Sequence, residues 1–430
     1  MIQAVQRLGR DFRLLWAGET VSMVGSAVAG TALPLVAVVG LRASTFEVAL
    51  LTAVAWLPWL VVGLPAGAWV DRVRKRPVMV ACNTVSMLVF VSVPLAQVAG
   101  VLSVPYLLGA ALAGGIANVF FSVAYRSYLP AIVDGDQLLK ANTRLLGSES
   151  VAQVGGPGLA GVLAAAFGPV SGVLVDAVSF GVSALCLKGI RRVEPKPVVT
   201  QRVRLRTQVA DGMRFVADDP YLRVLVLFGA ASNLALDGYA SIQVVFLARD
   251  LGAGVGTIGV VLALVEVGGV VGALLVTRLA GRFGTARAFL LCEVLAAPVM
   301  LIGPLDGLTC FVVAGIAVTG GLVGSNVLTG TFRQRYCPPE LFGRITASSA
   351  VVNYGTIPLG AFLGGVLGEA LGVRETMFIM AGVQLASLVI LLKSPLRRDR
   401  DFPTAAARPL QSLQPPHQPP PAARSGSSPG

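Results

Sequence analysis

Apolar blocks of about twenty residues follow one another along almost the whole chain, separated by short polar links. A helix rises about 1.5 Å per residue, so a block of about 20 matches the roughly 30 Å hydrocarbon core of a bilayer. Twelve blocks lie near residues 14–39, 47–70, 78–99, 103–125, 146–168, 169–188, 222–247, 256–277, 287–305, 308–331, 346–368 and 374–393. Helices are the expected form. Strands of a membrane barrel would alternate in units of about 10 residues, and unpaired backbone in lipid costs several kcal/mol per group. The predicted fold is all-α integral membrane, with twelve transmembrane helices in two pseudo-symmetric six-helix bundles.

The longest polar interruption, residues 190–223, divides the blocks six and six. The organisation predicted is a first bundle over 1–189, a basic linker over 190–221, a second bundle over 222–394 and a disordered tail over 395–430. In the linker Val209, Met213 and Val216 share a helical face flanked by arginines. That pattern fits an amphipathic helix on the inner leaflet, or a floppy basic connection. The tail is a Pro, Ser and Arg mixture with too little apolar surface to fold. Two links echo each other: YRSYLPAIVDGDQLLKANTRL (125–145) after block 4 and FRQRYCPPELFGRITAS (332–348) after block 10. GLPAGAWVDRVRKR (63–76) and GALLVTRLAGRFG (272–284) echo each other at the ends of blocks 2 and 8. Repeated halves of this kind are how many secondary transporters are built, with the substrate site between them at mid-membrane.

Composition agrees with this pattern: 55% of residues are hydrophobic and only 13% are charged, well below the quarter or so typical of soluble domains. The net charge of +12 could suggest nucleic acid, but its placement argues against that. If the N-terminus is inside, the cytoplasmic segments hold 31 of the 34 Lys and Arg, and only Arg42, Arg249 and Arg374 fall outside. This bias predicts a multi-pass protein of the cell membrane with both termini cytoplasmic. No small-residue cleavage site precedes the first block. The 5 cysteines are scattered and read as small core residues. The 1 histidine, His417, lies in the tail, so neither a metal site nor a cofactor is expected.

Lys and Arg occur only at the ends of the blocks, whereas Glu19, Glu149, Asp176, Asp237, Glu266 and Glu293 lie within them. A carboxylate at the bilayer centre costs about 3 kcal/mol, so each should face a cavity, find a partner or carry a proton. Polar stripes run through four blocks: Glu19, Ser22 and Ser26 in the first; Asn118, Ser122 and Tyr125 in the fourth; Asn233, Asp237 and Ser241 in the seventh; Ser325, Asn326 and Thr329 in the tenth.

FRLLWAGETVSMVGS, GLPAGAWVDRVRKRPVMVA, FFSVAYRSYLPAIV, LLKANTRLLGSESVAQVGGPG, LVDAVSFGVSAL, and FGRITAS followed by IPLGAFLGGVLGEALG stand in an order and spacing that resembles the major facilitator superfamily. The likeness covers nearly all of residues 12–403. It is to the drug-efflux branch that includes macrolide efflux proteins and the enterobactin exporter. The resemblance implies that helices 1, 4, 7 and 10 line the cavity, where the stripes fall. Relatives often carry an acid at the positions of Asn83 and Ser122, which this chain lacks. The family's loop motif appears as Gly67, Asp71, Arg72, Arg74, Lys75 and Arg76, with Arg74 where Gly is usual. It implies a latch from Asp71 to the start of helix 11, one-sided because Thr277 and Arg278 stand where a second Asp would. Arg126, Arg144, Arg333 and Arg344, with Glu149, are then cytoplasmic gate charges; the alternative is that the arginines only set topology. Gly156, Pro157 and Gly161 match the family's antiporter motif in part, and the alternative is ordinary tight packing.

The function expected is proton-coupled export of a bulky apolar or cationic small molecule by alternating access. Glu19 is the first candidate proton carrier and Asp237 the second, each alternatively a helix–helix contact. Asp176 reads as structural, while Glu266 and Glu293 sit on helices that usually pack outside the cavity. The partners are a small-molecule substrate, protons and the bilayer, for a chain expected to act as a monomer. Import of a nutrient is the alternative within transport. A membrane enzyme lacks any nucleophile–base pair, phosphate loop or metal spacing here, and a non-transporting receptor or scaffold is the remaining alternative.

Overall fold

The computed structural model describes residues 9–70, 72–133, 137–192, 194 and 205–404. Its helices are α1 (Arg10–Leu35), α2 (Thr45–Val61), α3 (Gly63–Val70), α4 (Lys75–Val98), α5 (Val104–Ile132), α6 (Leu138–Phe167), α7 (Val170–Gly189), α8 (Leu205–Asp218), α9 (Pro220–Val245), α10 (Val255–Phe283), α11 (Thr285–Val299), α12 (Leu308–Tyr336), α13 (Pro339–Leu371) and α14 (Val373–Leu392). Among the described residues, 11 helices are long and apolar enough to cross a bilayer. The second crossing is made of two shorter pieces, α2 and α3, where the apolar pattern predicts one. Pro58 has no N–H to give inside α2, and the chain turns at Val62 before Gly63 and Pro65 open the next helix.

The repeat is written into the backbone. α1 and α9 each end in a π-turn, Val36–Gly40 and Phe246–Asp250. Leu41 N–H then bonds Val36 O at 3.0 Å, and Leu251 N–H bonds Phe246 O at 3.1 Å. The next residue is left-handed in both halves, Gly252 in one (φ 60) and Arg42 in the other (φ 52), where only the glycine is free of steric cost. The third crossing of each half is capped in the same way. Glu194 accepts from the N–H of Lys75 (2.8 Å) and of Arg76 (3.3 Å) at the start of α4. Asp401 accepts from the N–H of Thr285 (2.8 Å) at the start of α11. A carboxylate satisfying free N–H groups at the positive end of a helix is favourable at both places.

Three expectations from the sequence change. The two echoing polar links are largely helix: α5 runs on to Ile132 and α6 begins at Leu138, while α12 reaches Tyr336 and α13 begins at Pro339. These turns stand beyond the apolar stretch, where hydropathy cannot register them. The linker helix does form, as α8, but it packs against α13, and Val216 joins the core of the second half rather than a leaflet. The predicted disorder does not extend to residues 395–402: Leu396 is buried, and Phe402 lies with its ring centroid 4.6 Å from that of Phe332 and 5.9 Å from that of Phe289. Phe402→Ala is therefore expected to cost about 3 kcal/mol, the usual penalty for emptying an aromatic site. Thermal unfolding in detergent would register it, and an unchanged midpoint would mean that this contact does not hold the segment.

α1, α2, α4, α5, α6 and α7 pack among themselves, as do α9 to α14. The two sets meet where α2 lies on α13 and α6 lies on α10. Buried apolar residues form three clusters. One is shared by both sets and gathers the residues around Val36, Ala43, Val245 and Ile258, at the end holding the 41–44 and 251–254 turns. The other two sit at the basic end, where the helix starts and the 190s lie: one belongs to the first set (Phe12, Met79, Tyr128) and one to the second (Leu222, Phe289, Leu396). One common core at one end and two separate cores at the other is the arrangement of a bundle pair closed at the first end and open at the basic end. The closed end is also joined by the Arg249 guanidinium donating to Ala43 O, and by Phe46 N–H donating to the Glu369 carboxylate at 3.3 Å.

Candidate transport cavity

The polar stripe of α1 faces into the first half. Glu19 (5% exposed), Ser22 and Ser26 line a cavity of about 390 Å³ together with Asn118, Ser122 and Tyr125 of α5. The stripes predicted on the first and fourth crossings thus converge. Arg126 and Glu149 stand in the same cavity wall. Glu19 Oε1 accepts from Ser183 Oγ at 3.4 Å, and Ser183 Oγ in turn accepts from Asn83 Nδ2 at 2.8 Å. The carboxyl is held by one long hydrogen bond and by no ion pair among the described residues. It is buried, yet it lines the cavity.

A second chamber of about 370 Å³ adjoins the first, since Ser26, Asn118 and Phe180 line both. Its other walls include Trp56 and Trp59 of α2, and Asp176 of α7. Asp176 Oδ1 accepts from Ser26 Oγ at 3.2 Å and from Ser179 Oγ at 3.4 Å. Asp176 is thus a helix contact that also borders open space.

The second half does not mirror this. Asn233 Nδ2 donates to Asn353 O at 3.0 Å, Ser241 Oγ donates to Gly238 O at 2.9 Å, and Thr329 Oγ1 donates to Ser325 O at 2.8 Å, so these polar groups are spent on neighbouring backbone. Ser325 is buried beside Glu293, while Asn326 is exposed. Asp237 is partly exposed and, among the described residues, has no hydrogen-bond or ion-pair partner; it shares neither chamber with Glu19. Glu266 is partly exposed two turns from Gly259 on α10, on nearly the same helix face.

Of the predicted gate residues, Arg126 and Glu149 share the cavity wall. Asp71 lies outside the described residues, as does the side chain of Arg344, and Arg72 is exposed. Arg144 stays with its own half, its guanidinium 5.9 Å from the Trp16 ring centroid. Arg333 is largely buried on α12, and its Nε has no hydrogen-bond partner among the described residues. Of the antiporter residues, Gly156 packs against Ala27 of α1 and Gly161 against Gly259 of α10; a Cβ on Gly161 would stand 2.7 Å from Gly259 Cα. The motif builds the α6–α10 crossing between the halves.

The sequence marks Asn83 of α4 only as a place where relatives carry an acid, and it does not mark Ser86 of α4 or Phe180 and Ser183 of α7, because no acid sets them in a stripe; yet Asn83, Ser86 and Phe180 line the chamber and Ser183 bonds Glu19. The small polar side chains of Asn83, Ser86 and Ser183, rare in such apolar helices, were the available signal, whereas Phe180 carries none.

Residues 8–420 match the profile of the transmembrane secretion effector family of major facilitator proteins. The chain is 28% identical over 357 residues to an uncharacterized MFS-type transporter of Sinorhizobium fredii, covering 80% of this chain and 85% of that one. It is 27% identical over 373 residues to the multidrug efflux pump Tap of Mycolicibacterium fortuitum (84% and 90% covered). To macrolide efflux protein A of Streptococcus pyogenes it is 22% identical over 405 residues (88% and 94% covered). Among solved structures, the nucleoside transporter NupG superposes with a TM-score of 0.70 at 12% identity, over 89% of this chain and 99% of that one. A bacterial homologue of the iron transporter ferroportin, in its inward-facing state, gives 0.73 at 17% identity over 90% and 99%. Twelve crossings in two halves, an internal cavity and a family profile spanning the helical bundle agree: the chain belongs to the transmembrane secretion effector family of the major facilitator superfamily and is a transporter, not an enzyme.

Proposed function

We propose that this transporter exports a bulky apolar or cationic small molecule, such as a drug or secondary metabolite, in exchange for protons. The observation that carries the reading is Glu19: a buried carboxyl, lightly held by Ser183, on the wall of a polar chamber. With the basic end cytoplasmic, as the charge bias predicts, this conformation is open to the cytoplasm and ready to take up substrate. Export follows when the halves rock to close the basic end and part the contacts around Ala43 and Arg249. Asp237, partly exposed and unpartnered among the described residues, is a second and lesser proton carrier. Relatives named as efflux pumps favour this direction over import.

The test is proton movement in proteoliposomes holding the purified chain. Adding a lipophilic antibiotic or dye should release protons from the compartment that takes it up, in proportion to uptake. Transport that proceeds with no linked proton movement would remove the coupling; uptake into intact cells in place of efflux would reverse the direction.

A further inference from the structure

We propose that the chamber bordered by Asp176, Trp56, Trp59 and Phe180 is the seat of an organic monocation, with Asp176 as its counter-charge. This rests on the transport reading above and names the substrate class. Asp176 is 2% exposed, yet it borders a space of about 370 Å³, within the range that encloses drug-sized ligands. Two hydroxyls serve its carboxylate, and among the described residues no Lys or Arg pairs with it or lines the chamber. A carboxylate enclosed in this way lacks a positive partner, and a ligand can supply one.

The walls favour the same occupant. Trp56 and Trp59 lie with ring centroids 6.5 Å apart, and Phe180 is stacked on Phe90 at 5.9 Å. Indole faces attract a cation within about 6 Å, more strongly than aliphatic walls can and most of all when water is excluded. Both tryptophans also touch Tyr354 of α13, at 6.0 and 5.6 Å between centroids, so one wall of the seat is the contact between the two halves. Occupancy is felt directly by the interface that must move. Ser26 ties Asp176 to the α1 stripe seven residues beyond Glu19, a rise of about 10 Å, so proton and cation are held by separate carboxyls.

The experiment is calorimetric binding to the full-length chain in nanodiscs, with tetraphenylphosphonium and its neutral, similarly sized counterpart triphenylphosphine oxide. The wild type should bind the cation at least about tenfold more tightly than the neutral probe, the scale expected of a desolvated charge among aromatic faces. Asp176→Asn should bring the two affinities to within about twofold, whereas an acid that merely ties α1 to α7 would leave the preference as it was. If Asp176→Asn does not fold, the Trp56→Leu, Trp59→Leu protein should show the cation preference reduced about fivefold or more. Equal binding of both probes by the wild type, or a preference unchanged in whichever variant folds, overturns the seat. Wild-type protein that prefers the cation but shows no proton-linked transport would leave the seat standing and remove the coupling instead.

Discussion

Glu19→Gln is expected to abolish export against a gradient while leaving the protein inserted and folded. The substitution keeps shape and a hydrogen-bond acceptor for Ser183, and it removes only the capacity to carry a proton. A proton returning down a pH gradient of about 1.7 units releases about 2.3 kcal/mol, enough to sustain a substrate gradient of roughly fiftyfold. Without that coupling the gradient collapses toward unity, while exchange of labelled for unlabelled substrate continues. Inverted vesicles with an imposed pH gradient read both quantities. Asp237→Asn should lower the sustained gradient by less, because Asp237 stands outside the chamber that encloses Glu19. An undiminished gradient in Glu19→Gln would move proton carriage away from this carboxyl.

Gly259→Val is expected to shift the conformational balance toward opening at the end closed here, with loss of transport. A Cβ at this position would stand 2.5 Å from Gly161 Cα and 2.6 Å from Pro157 O. Both are backbone atoms, so no side chain can rotate aside. Overpacking of this kind costs about 1–3 kcal/mol. That strain falls only on the conformation in which α6 and α10 touch, so it biases the equilibrium between states by roughly five- to 150-fold. Spin labels on the 41–44 and 251–254 turns should report a longer mean separation than in the parent protein. An unchanged separation with normal transport would show that the crossing tolerates a side chain and that the antiporter motif serves another purpose.

Much of this was legible in the chain. Apolar blocks located the crossings, because the bilayer imposes one length on every helix that spans it. The echoing links announced the repeat, although their helical content was hidden by their polarity. Glu19, Ser22 and Ser26 share a helix face in the sequence and line one cavity in the structure, since a polar stripe in an apolar helix leaves few places to hide. In the sequence Asp176 looks like part of a packing pattern; its two hydroxyl partners agree with that, and only the structure shows the adjoining space. On α9 an equally regular stripe spends Asn233 and Ser241 on neighbouring carbonyl groups, which hydropathy alone does not reveal. The segment 395–402 was legible only in hindsight, because a single Phe402 gives composition little weight although it fills a site between Phe289 and Phe332.

By itself the sequence determined the crossings, the basic end and the two-fold repeat, all properties that follow from local hydropathy and charge. Which stripes meet, which acids face open space and which end is shut were decided by tertiary structure alone. Those outcomes depend on how each helix is turned about its axis, and that rotation is set by contacts such as Gly161 with Gly259 and Asn83 with Ser183, between residues roughly a hundred apart in the chain.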